Sequence, residues 1–171
     1  MRLVYFLILG GAALFAQSTV IPFLLPYWLV SGMDLPLIVV VHVALTRGKV
    51  HGMMAGAALG YLQDAMSGGV IGINGLAKIV GGFSGGYLRE KFFVSSIAHR
   101  AGSVAGAVLF SVLSKVVVLS LFAQPRPGLL SPLLLWTFMG NALLALASHS
   151  LLVRLEGRAG IRREEELSLG D

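Results

Sequence analysis

Six long apolar runs, most of them bounded by basic residues, constrain this chain more than any other feature. They cover residues 3–20, 35–46, 50–66, 70–88, 101–122 and 129–153. Such runs bury themselves in a large core or in lipid. The chain has 171 residues, 56% of them hydrophobic and 12% charged. A soluble domain carries about 25% charged residues, so lipid is the expected surroundings. The second run is short, about 18 Å as a helix against a bilayer core of about 30 Å, and must borrow flanking residues or be packed by its neighbours. Residues 21–33, with Pro22, Pro26, Tyr27 and Trp28, suit an interfacial connection. The alternating segments of about ten residues that a membrane β-barrel needs are absent, so the expected fold is an all-α, six-helix transmembrane bundle.

The basic residues give this bundle a direction. With the N-terminus inside, the inner side receives Arg2, Arg47, Lys49, Arg89, Lys91, Arg100, Arg154, Arg158, Arg162 and Arg163, whereas the outer side receives only Arg126. Ten against one is a strong positive-inside signal and places both termini in the cytoplasm. The net charge of +5 punctuates apolar runs rather than forming a basic domain, so no nucleic-acid partner is expected. Without cysteine there is no disulfide, thiol chemistry or Cys-based metal site. The N-terminal stretch resembles a signal peptide. A retained first helix is preferred, because Leu14 occupies −3 if Ala16 is at −1 and apolar sequence continues beyond. The organisation expected is a transmembrane domain over 1–153 and a short charged tail over 154–171.

Glycine spacing points to close helix packing. Gly52, Gly56 and Gly60 stand four apart, and Asp64 follows at the same interval. The fourth run carries Gly72, Gly75, Gly82 and Gly86, and the fifth Gly102 and Gly106. Glycine stripes let helix backbones approach, so spans three to five are expected to form the packed centre. Asp64 and Lys78 are costly at bilayer depth unless paired. An ion pair between them is expected to pin the hairpin of spans three and four. Lys115 either competes for Asp64 or snorkels outward. Asp34, two residues before Pro36, reads as a helix N-cap. His42, His51, His99 and His149 show no metal-ligand spacing, and no cofactor is expected.

One stretch imitates a catalytic motif. Gly82-Phe83-Ser84-Gly85-Gly86 fits G-x-S-x-G, and with His149 on the sixth span it resembles the serine and histidine placement of rhomboid intramembrane proteases. Ser84 lies toward the inner end of its span, whereas rhomboid serines open outward. Residues 150–152, Ser-Leu-Leu, lack the small residues those enzymes place after the histidine. Glycine is also abundant enough here, at 22 residues, for chance matches.

The stretch 34–88 resembles the rod shape-determining protein MreD family. Four motifs carry the likeness: Met33-Asp34-Leu35, the turn Thr46-Arg47-Gly48-Lys49, the glycine-spaced Gly56-Ala57-Ala58-Leu59-Gly60-Tyr61-Leu62-Gln63-Asp64, and Ile71-Gly72-Ile73-Asn74-Gly75-Leu76-Ala77-Lys78. Met33 stands where the family has proline. The resemblance implies a non-enzymatic scaffold in the bacterial cytoplasmic membrane that supports peptidoglycan synthesis during cell elongation. Its implied direct partner is MreC, and through it MreB and the RodA–transpeptidase synthase. Pro26, Trp28, Asp34, Asn74 and Lys115 are the expected partner contacts, centred on the outer connection 26–34. The family is also similar in fold to the vitamin-binding S-components of energy-coupling transporters. A transporter subunit is therefore the alternative, although the sequence presents no obvious polar ligand cluster in the outer half.

Overall fold

The computed structural model describes residues 2–24, 26, 33–68, 70–92, 97–121 and 132–158. Every regular element among them is helical. Helix α1 (Arg2–Phe15) continues through a π-helical turn (Ala16–Val20) into the short α2 (Ile21–Leu24). There follow α3 (Leu35–Arg47), α4 (Lys49–Ser67), α5 (Ile73–Phe92), α6 (Ile97–Leu121) and α7 (Pro132–Arg158). Each expected span coincides with one helical stretch. The first does not stop before Pro22 as the sequence predicts. Proline lacks a donor and crowds the preceding turn. Here the turn just before it widens, with the Ile21 N–H donating to the Ala16 carbonyl, and the helix passes through. At the other end α7 reaches Arg158, so the first residues of the tail are helical.

Spans three to five pack closely, as expected, but the most deeply buried helix is α3. All ten residues from Pro36 to Leu45 are buried. A helix that is apolar on every face is stable only when surrounded. Leu37, Ile38, Val41 and Leu45 pack with Val104, Ala107 and Val108 of α6 and Ala145 of α7. Val39, Val40 and Val43 meet Ala13 and Leu14 of α1 and Leu59 of α4. Its shortness thus follows from its position: neighbours solvate it.

The α4–α5 hairpin is the tightest contact, and glycine makes it possible. A Cβ at Gly52 would lie 2.7 Å from the Gly82 carbonyl, and one at Gly60 would lie 2.6 Å from the Gly75 Cα. Cβ atoms on Gly56, Gly82 and Gly86 would collide with the backbones of Lys78, Gly52 and Lys49. The two stripes therefore face each other along the whole hairpin. Gly106 meets only the Leu88 side chain, whose Cδ1 lies 2.5 Å from the site of a Cβ. Gly102 is a correction: it is exposed and a Cβ there would touch nothing within 4 Å.

Gly48 alone links α3 to α4, with φ 89° and ψ 177°. Only glycine is at ease there. Gly48→Ala meets no neighbour closer than 3.7 Å, so strain alone should act. The expected cost is about 1–3 kcal/mol, read as a lowered melting temperature of the purified protein. A melting curve superimposable on the parent's would refute this reading of the link.

Among the described residues, one helical segment is long and apolar enough to cross a bilayer, Ala101–Leu121, with mean hydropathy 2.2. Ile8–Leu24, Leu35–Arg47 and Leu134–Ser148 are shorter apolar stretches.

Candidate functional site

Asp64, Lys78 and Asn141, all buried, gather with Asp34 at the end of the bundle where α3 starts, α4 ends and α5 begins. Asp34 is the N-cap of α3: its Oδ1 accepts the Leu37 N–H at 3.1 Å. Pro36 sits in the first turn, where a missing donor costs nothing. The other carboxylate oxygen, Oδ2, accepts from Lys78 Nζ at 2.6 Å. The Lys78 side chain is 1% exposed and that of Asp34 17%. The pair ties α5 to the head of the central helix.

More polar groups close around it. The Asp34 N–H donates to Asn141 Oδ1 of α7 at 2.8 Å, and Asn141 Nδ2 donates to the Thr137 carbonyl at 2.7 Å. Gln17, in the π-helical turn, bridges the entry to α3. Its Nε2 donates to the Met33 carbonyl and its Oε1 accepts the Leu35 N–H, both at 2.6 Å. Beside this network lies a cavity of about 240 Å³, lined by Gln17, Asp34, Gln63, Ser111, Lys115 and Asn141 among others.

Asp64 does not pair with Lys78, which corrects the expected ion pair. Its Oδ2 accepts the N–H groups of Gly72 at 2.8 Å and Gly75 at 3.1 Å. Its Oδ1 accepts the Asn74 N–H at 3.1 Å and the Asn74 Nδ2 at 2.8 Å. The reason is geometric. Gly72, at φ 109°, folds the chain so that the free N–H groups opening α5 face the end of α4. A carboxylate at a helix N-terminus gains charge-assisted bonds and a favourable dipole. Asp64 is saturated by three backbone N–H groups and the Asn74 amide, and Lys78, farther along α5, turns toward α3.

The other expected residues divide. Asn74 spends its amide donor inside the hairpin, while its Oδ1 is buried without a partner. Lys115 is half-buried at the cavity, neither bonded to Asp64 nor fully snorkelled into solvent. Pro26 is exposed outside any helix. Trp28 and the His149 side chain lie outside the described residues. Ser84 is buried, and its hydroxyl donates to the Gly81 carbonyl of its own helix at 3.1 Å. Among the described residues no three carboxylate or imidazole groups converge to hold a metal ion.

Sequence reasoning missed Gln17, Gln63 and Asn141. Each is a lone amide in an apolar run, with no spacing signal. What marks them is that a helix otherwise apolar keeps one amide, which at depth needs a partner.

Compared with known proteins, the chain matches no family model, no curated protein and no solved structure.

Proposed function

We propose that this chain is a non-enzymatic, six-span scaffold of the bacterial cell-elongation machinery, seated in the cytoplasmic membrane with both termini inside and bound to MreC. The observation that carries the reading is the hairpin. Gly56, Gly60, Asp64, Gly72, Asn74 and Gly75, which carry the resemblance to MreD in sequence, act in the fold as one unit. The glycines seat α4 on α5, and Asp64 collects four N–H groups from the opening of α5. Their spacing thus has a shared physical purpose rather than reflecting glycine abundance.

The membrane reading draws support from two further features. Large apolar side chains, among them Met54, Leu62, Ile71, Val117, Leu135 and Leu143, are exposed around the bundle, as lipid contact would require. Among the described side chains, Arg47, Lys49 and Lys91 collect at one end. Arg47 stacks over the Phe6 ring at 5.0 Å, Lys49 pairs with Glu90 at 2.8 Å, and Lys91 lies 5.9 Å over the Tyr87 ring. The start of α1, the α3–α4 link and the end of α5 therefore share the basic face expected to be cytoplasmic.

The deciding experiment is affinity purification of the tagged chain from a membrane extract containing MreC. A stoichiometric complex is expected, and MreC left wholly in the unbound fraction would overturn the proposal. The polar cavity favours a second reading, a small-molecule-binding subunit like the S-components. At about 240 Å³ it is smaller than the roughly 300–1,000 Å³ of ordinary ligand pockets, so it suits a headgroup better than a whole vitamin. A vitamin retained through purification, with no MreC, would establish that second reading.

A further inference from the structure

We propose that the cavity beside the Asp34–Lys78 pair binds a small hydroxylated anion of the phosphoglycerol type. Three features of the cavity lead there.

The first is charge. Asp34 and Lys78 neutralise each other at 2.6 Å. Asp64 is occupied by four N–H donors from the α5 opening. Lys115 also lines the cavity, and among the described residues it has neither a hydrogen bond nor an ion pair. A half-buried ammonium in an apolar bundle is costly unless something of opposite sign meets it. The charges of Asp34, Asp64, Lys78 and Lys115 balance, but Asp34 is in contact with Lys78 and Asp64 with the α5 opening, so Lys115 is the cation without a contacting anion, which an anionic ligand would supply.

The second is an orphan acceptor. Gln63 lines the same cavity, and its Oε1 is buried without a partner. An acceptor needs a donor, which a bare carboxylate or halide lacks. A ligand with an anionic oxygen for Lys115 and a hydroxyl for Gln63 satisfies both.

The third is space. About 240 Å³ holds the equivalent of about eight waters at about 30 Å³ each, which fits a phosphate joined to a three-carbon polyol. A second cavity of about 300 Å³ shares Gln17 and Gln63 and is otherwise lined by Leu14, Pro22, Met66, Ser18 and Ser67. The polar chamber thus adjoins a more apolar one, as a headgroup and the root of an acyl chain would require. The anion can come from an anionic phospholipid or from a soluble glycerol phosphate. The lipid source rests on the membrane reading, but neither source depends on MreC.

The test is thermal unfolding of the purified full chain in nonionic detergent. Phosphatidylglycerol, phosphatidylcholine at equal mole fraction, and sn-glycerol 1-phosphate at fixed ionic strength are added separately. Phosphatidylglycerol is expected to raise the melting temperature by several degrees and phosphatidylcholine to leave it unchanged. A matching rise with glycerol phosphate assigns a soluble ligand, and a rise with phosphatidylglycerol alone assigns a lipid. Lys115→Met should abolish the response and Lys115→Arg should keep it. If Lys115→Met does not fold, Gln63→Leu reads the same site through about tenfold weaker binding. The proposal is overturned if neither phosphoglycerol compound stabilises the protein, or if the response survives in Lys115→Met or, where that variant does not fold, at full strength in Gln63→Leu. Loss of MreC binding with an intact lipid response would instead fail the scaffold reading alone.

Discussion

Gly56→Leu is expected to abolish the folded bundle, and Gly56→Ala to remove about 3 kcal/mol or more of stability. A Cβ at this position would collide with the Lys78 carbonyl and lie 2.8 Å from the Ile79 nitrogen. Both obstacles are backbone inside a helix, so no rotamer change relieves them. The α4 and α5 axes must separate. Separation at Gly56 also opens the contacts of Gly52 with Gly82 and of Gly60 with Gly75. It further draws Asp64 away from the α5 opening, leaving up to four N–H donors without their acceptor. Against a total stability of about 5–15 kcal/mol, the leucine variant has little left. Gly102→Ala is the internal control, because a Cβ there meets nothing within 4 Å. It should melt at or slightly above the parent temperature, since alanine is about 1 kcal/mol the better helix former. Limited proteolysis and thermal unfolding in detergent read both variants. A Gly56→Ala protein that melts with the parent would mean the stripes do not hold the hairpin.

The contrast between Gly56 and Gly102 shows what the sequence made legible. Spacing of four identifies a face that permits close approach, but not whether another helix occupies it. Gly52, Gly56 and Gly60 face a helix because α5 offers a matching stripe. Gly102 carries the same local pattern and faces open space. The helices themselves were legible because an apolar run bounded by charges leaves few alternatives. Pro22 misled, since a π-helical turn can absorb a proline and nothing local announces one. The centrality of α3 was half visible: its brevity implied packing by neighbours, yet the glycine stripes drew attention to the next three helices.

The candidate site was less legible, for a reason of valence. Asp34 was recognised as an N-cap, and that assignment used one carboxylate oxygen. The other remained available for a cation. Asp64 seemed the better partner for Lys78 because the two flank one turn. That turn also exposes the first N–H groups of α5, which are closer to Asp64 and more numerous. Local backbone donors outcompeted a side-chain ammonium, which then found the spare oxygen 44 residues away in sequence.

Lys78→Met is the substitution that tests this exchange of partners. Asp34 would keep its place at the head of α3 while losing the cation on its second oxygen. Removing one member of a buried ion pair costs about 3–5 kcal/mol, because the remaining charge is left uncompensated. Adding Asp34→Asn should restore much of that loss. Asparagine still caps α3 and carries no charge. Adding Asp64→Asn to Lys78→Met should restore nothing, and the two costs should sum to within about 0.5 kcal/mol. A double-mutant cycle therefore separates the partners: strong coupling for Lys78 with Asp34, near zero for Lys78 with Asp64. Lys115 can blunt the measurement, since it lines the same cavity and feels the Asp34 charge. With Lys78 gone its ammonium is a substitute on the same cavity. The cycle should accordingly be run again in a Lys115→Met background, where the penalty for Lys78→Met is expected to grow. A penalty that stays the same there would show that Lys115 does not share the Asp34 carboxylate. Coupling that appears with Asp64 instead of Asp34 would return the pair to the hairpin and dissolve the polar centre described above.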